Sequence, residues 1–167
     1  MKALKILAIA LMLCGLSLAQ DMSSCPMHKD KSQHHADVET HGDEAMGFPH
    51  DKTTHHFRLS PEGGVIEVTV NDAKDNDDLQ AIRMHLKHVV SMFSNGDFSV
   101  PMFIHSQTPP GVTEMRDRRA DITYTFEELP AGARVRITTV NRDALNAVHD
   151  FLIFQIRDHQ TGDPEQP

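Results

Sequence analysis

Cysteine is scarce. The 167 residues hold two, and one of them, Cys14, sits in an apolar N-terminal run that reads as a removable leader. Its loss would leave Cys25 alone. No intramolecular disulfide could then staple the fold, and a single thiol in an exported chain points to a reactive group, an intermolecular bridge or a metal ligand. Long apolar runs are missing after the leader, which argues against a membrane span in the mature chain. Positive charge is short: 16 Lys and Arg stand against 24 Asp and Glu, for a formal net charge of −8. Removing Lys2 and Lys5 with the leader takes this to −10. That balance disfavours nucleic acid and anionic lipid as partners and gathers cations. The chain also lacks Gly-x-Ser-x-Gly, a phosphate loop, His-Glu-x-x-His and the Rossmann glycine pattern, so it reads away from an enzyme.

The leader itself is well formed. Lys2 and Lys5 supply a positive start, Ile6 to Leu16 is apolar, and Ser17-Leu18-Ala19 is a small-x-small cleavage site. The expected signal peptide is 1–19, with Gln20 as the first mature residue and a periplasmic or extracellular destination. Lipidation at Cys14 is the rival reading, but Met12 and Leu13 stand where a lipobox wants small residues.

Histidine is what the chain has in excess. Seven of its twelve lie between His28 and His56. The segment 20–53 is otherwise polar and charged, with few side chains to bury, so it is expected to be a disordered His/Met-rich tail in the absence of metal. It opens with Cys25-Pro26-Met27-His28, where a thiolate, a thioether and an imidazole are close enough to chelate one soft cation, above all Cu(I). His34, His35, His41, His50, His55 and His56 add imidazoles that suit Cu(II), zinc or nickel. The blander reading of both features is a solvated, pH-sensitive linker.

A folded domain is expected over 54–160, with 161–167 a disordered C-terminus. His55-His56-Phe57-Arg58-Leu59 alternates, Ser60 to Gly64 turns, and Val65 to Val70 returns with Ile66, Val68 and Val70 on one face, a hairpin pattern. Asp75 to Asp78 open a helix whose buried stripe is Leu79, Ile82, Leu86, Val89 and Phe93, closed by Asn95-Gly96. The proline-rich stretch 97–111 reads as a loop with one short extended piece over 100–104. Ala120 to Phe126 and Arg134 to Val140 form a second hairpin, and Asp143 to His159 a second helix. VIEVTVN (65–71) and VRITTVN (135–141) match at four of seven positions, which suggests a duplicated strand–strand–helix unit. The expected class is α+β: an antiparallel sheet of about four strands with two main helices on one face.

Within the first helix, His85, His88 and Met92 follow a +3, +4 spacing that places them on one ridge. Two imidazoles and a thioether there make most of a copper site, with His55 or the loop residues Met102 and His105 as further donors. The alternative is that the histidines are boundary residues and Met92 fills the core. His149, alone on an apolar face, reads as a hydrogen-bonded core residue.

Several blocks resemble a family of small exported bacterial proteins: MGFPHDKTTHHF (46–57), the glycine turn with VIEV (63–68), IRMHLKH (82–88), MFSNGDFSVPMFIH (92–105) and QTPPGV (107–112). Some members bear the name aspartate carbamoyltransferase. The Ser-Thr-Arg-Thr carbamoyl-phosphate motif of that enzyme is absent here, and the chain is too short for its two domains. The resemblance implies secretion and the fold boundary, and it draws attention to His55, His56, His85, His88, Met102 and His105. The Cys-Pro-Met-His run separately resembles short bacterial heavy-metal-binding segments, including those on adaptor subunits of copper and silver efflux systems.

Together these readings describe an exported metal-binding protein, for copper as Cu(I) or Cu(II) ahead of zinc or nickel, in buffering, delivery or detoxification. Its partners would be the ion and an envelope metal-transfer protein. The alternatives are an envelope interaction module that works without metal, and a small secreted metal-dependent enzyme.

Overall fold

Two equal hairpins build the sheet. In the computed structural model, which describes residues 26–167 with side chains from Lys31 onward, β1 (Thr53–Ser60) and β2 (Gly63–Val70) flank Pro61-Glu62. Further on, β3 (Ile122–Leu129) and β4 (Gly132–Thr139) flank Pro130-Ala131. The strand order is β1-β2-β4-β3, antiparallel throughout. Period-two burial of Ile66, Val68 and Val70, and of Val135 and Ile137, gives the sheet one apolar face.

Helices cover that face. α2 (Asn76–Ser94) starts where the Asp75 side chain accepts from the Asp78 N–H at 3.1 Å, and it buries Ile82, Leu86, Val89, Met92 and Phe93. Gly96, at φ +76°, ends it in the left-handed conformation that glycine tolerates best. α5 (Arg142–Asp158) is capped by Asn141, whose side-chain oxygen accepts from the Asp143 and Ala144 N–H groups. It buries Val148, Phe151, Leu152 and Ile156, among others. α2 lies mainly on β3 and β4, and α5 mainly on β1 and β2, so each helix covers the hairpin of the other unit.

The duplication is visible in the fold, but its frame differs from the string match by one residue. The burial patterns of β2 and β4 run in step from Gly63 and Gly132, which equates Ile66 with Val135 rather than with Arg136. A one-residue slip would turn every side chain to the other face, so burial and not string identity fixes the correspondence. One pair of polar contacts repeats as well. Arg83 of α2 donates to the Leu129 and Gly132 carbonyls at 2.9 and 3.3 Å, at the ends of the second turn. His149 of α5 lies 2.9 and 3.1 Å from the Ser60 and Gly63 carbonyls, at the ends of the first. Both partners of His149 Nε2 are acceptors, so that nitrogen carries the proton. The reading of His149 as a hydrogen-bonded residue on an apolar face agrees with this placement.

The uncovered sheet face carries charge. His56, Glu67, Arg134 and Glu127 stand side by side across all four strands. Arg134 and Arg136 donate to Glu127 at 2.6 and 2.8 Å, and Arg58 pairs with Glu67 at 3.3 Å. The two arginines hold the Glu127 carboxyl down at about 2.

Three segments differ from the sequence-based expectation. Residues 26–46, expected to be disordered, form α1 (Pro26–Met46), followed by a 3-10 turn at His50–Lys52. Little apolar surface holds α1: Val38 is 1% exposed and Phe48, just beyond, is 3% exposed. Polar ties supplement it, which a count of apolar side chains overlooks. Residues 100–104, expected to be extended, lie in the short helix α3 (Ser99–Ile104). Pro101 falls in its first turn, where no amide hydrogen is required, and Pro101 and Ile104 are buried. A second short helix, α4 (Val112–Asp117), follows. The C-terminal 161–167 lacks helix and strand, yet Asp163 is fastened to β1: it accepts from the Phe57 N–H at 3.0 Å and contacts His56 Nδ1 at 2.9 Å.

Candidate functional site

Histidines from separate elements meet at one end of the molecule. A cavity of about 410 Å³ between α1, the start of β1 and the residues after α5 is lined by His35, Glu39, Met46, His50, His55, His56 and His159, among others. Beneath it lies a smaller, mostly apolar cavity of about 70 Å³. His55, His159 and Met46 border both, and His85, His105 and Gln155 face only the inner one. Sequence places these groups far apart. α1 is laid along the α3 side of the domain, β1 presents His55 inward with Phe57, and α5 delivers His159 at its end.

The imidazoles fall into two groups. The outer ones face carboxylates: His34 with Asp158 at 2.9 Å, His35 with Glu39 at 3.3 Å, His50 with Asp43 at 2.9 Å, and His56 with Asp163 at 2.9 Å. The inner ones face aromatic rings and one thioether. His55 Nε2 lies 3.3 Å from Met46 Sδ, and its ring stacks near Phe48 at 6.3 Å and parallel to His159 at 6.2 Å. His85 meets Phe48 edge-on at 5.8 Å, and His159 stacks on Phe57 at 5.4 Å. Burial pushes His55 down to about 4, with His85, His50 and His56 adding to the shift. Burial takes His85 to about 4, helped by His88, and His159 to about 3, helped by His105 and His55. All three rings are therefore neutral at neutral pH, the form that binds metal.

His105 links the groups. It is 2% exposed, with Nδ1 2.6 Å from Asp158 Oδ2 and Nε2 3.0 Å from Gln155 Oε1. Burial would raise the Asp158 carboxyl, but hydrogen bonds from His34 and His105 outweigh it and hold the group below the usual carboxylate range. Asp158 thus bridges an imidazole on α1 to one at the end of α3. The amide nitrogen of the buried Gln155 has no partner among the described residues.

The sequence-based candidates are distributed as follows. Cys25 and the side chains of Met27 and His28 lie outside the described residues, as does the leader 1–19. His35, His50, His55 and His56 line the larger cavity; His34 stands outside it against Asp158. The ridge on α2 is divided: His85 faces the inner cavity, His88 is exposed, and Met92 is 9% exposed within the core. Met102 is half-buried on another surface beside Asn95 and Arg116. His105 belongs to the inner set. Spacing along the chain overlooked Met46 and His159. Met46 heads the MGFPHDKTTHHF block and His159 ends the second helical stripe, but the geometry that joins them depends on α1 being helical. Among the described residues, no three His, Cys, Asp or Glu side chains converge closely enough to hold a metal ion between them, and no helix is long and apolar enough to cross a membrane.

No known protein family, curated protein or solved structure matches this chain.

Proposed function

We propose that this is an exported protein that binds copper and serves in its buffering, delivery or detoxification. One observation carries the reading: imidazoles from α1, the 3-10 turn, β1 and the end of α5 line a single cavity together with a methionine thioether. Imidazole and thioether are ligands of late first-row metals. The acidic chain favours cation capture. The Cys25-Pro26-Met27-His28 run would collect the ion and the cavity would hold it. Zinc and nickel are the competing cations for the imidazoles, and an envelope metal-transfer protein is the partner this role requires.

The test is calorimetric titration of the full exported chain with copper, beside elemental analysis of protein purified from its own source. Stoichiometric copper is expected, and His50→Ala/His55→Ala is expected to remove one equivalent. A protein that retains no copper would sink the proposal, and an unchanged stoichiometry in the double variant would move the site away from the cavity.

A further inference from the structure

The two groups of histidines differ in more than depth. Every outer imidazole named above has a carboxylate within 3.3 Å. The Met46–His55 pair has a different setting. Its nearest ring neighbours are Phe48 at 6.3 Å and His159 at 6.2 Å, and neither His85 nor His159 makes a side-chain hydrogen bond among the described residues. The groove wall is mainly apolar, with Phe57, Ile66 and Val68 lining the inner cavity.

We infer that Met46 and His55 are the preformed half of a site for a soft monovalent cation, Cu(I), which His159 completes from across the cavity. The inference rests on the copper-binding reading above and specifies the oxidation state and the donors. The existing S···N separation of 3.3 Å is already a chelating distance. With metal–sulfur and metal–imidazole bonds of about 2.3 and 2.0 Å, it leaves an angle of about 100° at a shared ion. When the ion enters, the proton now between His55 Nε2 and the sulfur is released to solvent while Nδ1 takes one up, so the ring binds as the neutral tautomer. A two-donor start matches the finding that no three ionisable ligands converge beforehand. Rotation of the His159 ring supplies the third.

Oxidation state follows from charge and softness. A thioether prefers Cu(I) to Cu(II) or Zn(II). The donors are uncharged, and the inner wall behind them is aromatic and aliphatic, with Glu39 on the outer side of the cavity. The cost of placing an ion in such a medium grows with the square of its charge, so a dication is penalised far more than a monocation. The outer imidazoles, backed by carboxylates, offer the opposite environment and suit dications.

The experiment uses the full chain labelled with [13C-methyl]methionine, titrated anaerobically with Cu(I) and, on a second sample, with Zn(II). Cu(I) is diamagnetic, so each methionine methyl is followed directly, and that of Met46 is assigned by its loss in Met46→Leu. The Met46 methyl is expected to shift to saturation with one equivalent of Cu(I) and to stay in place with Zn(II). Competition with a colorimetric Cu(I) chelator is expected to show at least about a tenfold affinity loss for Met46→Leu and for His55→Ala, with Met84→Leu, a thioether exposed on α2, unchanged. Cu(I) bound tightly while the Met46 methyl stays still, or equal shifts with Zn(II), would overturn the inference and leave copper binding standing. Absence of any copper binding would remove both.

Discussion

At the scale of single residues, the informative property of the inner histidines is what surrounds them. His55, His85 and His159 are held neutral mainly because burial in aromatic company disfavours the imidazolium. Their ordinary value is about 6.5, so between about pH 6.5 and about 4 the unfolded chain binds protons that the folded chain refuses. Stability therefore rises with pH across that window. It is complete above the unfolded value and falls as the pH drops toward the depressed folded values. The carboxyls of Asp158 and Asp163, shifted downward, add stability that is present above the usual carboxylate range and lost only in stronger acid. The melting temperature is expected to decline steadily from pH 7 to pH 4.5. Replacing His159 by Gln, which keeps polarity and adds no titrating group, should flatten the decline. A curve that is flat for the parent chain would show that these rings are not kept neutral.

At the scale of elements, sequence reasoning worked where burial is periodic and failed where polar contacts decide. The hairpins and both long helices were legible because Ile66/Val68/Val70 repeat at two and Ile82/Leu86/Val89/Phe93 at three and four. α1 was not legible. Among its described side chains, Val38 is the only hydrophobic one buried to 1% within the helix proper. It is otherwise fastened by His34 to Asp158 at 2.9 Å and by His41 Nδ1 to the Ile104 carbonyl at 3.3 Å. No local pattern announces bonds to residues 63 and 124 positions away. The candidate site suffered for the same reason, since Met46 and His159 come together only once α1 and α5 are placed. A helix held this lightly should be the first part to open. Hydrogen exchange is expected to show α1 amides exchanging well before those of β2 and β4. Asp158→Asn should speed α1 and the end of α3 while leaving β2 and β4 unchanged, by weakening the His34 and His105 contacts at once. Equal protection of α1 and the central strands would contradict this picture.

At the scale of the whole molecule, two strand–strand–helix units are locked by exchanged cover. Arg83 and His149 occupy corresponding places, each reaching from its helix to the carbonyls at the base of the other unit's turn. Each removal leaves two carbonyls short of a donor, so Arg83→Ala and His149→Ala should each cost about 1–3 kcal/mol of unfolding free energy. Chemical denaturation would measure it. Transitions that stay single and two-state in both variants would fit one cooperative unit, whereas a separated second transition would mean that the units unfold independently. The register agrees with the lock: Gly132 follows the second turn, and a side chain there would strike the Val68 carbonyl of the first hairpin.

The crossing of α2 and α5 also bears on what counts as a part of this protein. A cut anywhere between Gly96 and Arg119 separates the units in sequence, but each piece then owns a bare apolar hairpin and a helix shaped for the absent one. Halves of this kind are complementary fragments, not small domains, and the seam in the chain is not a seam in space.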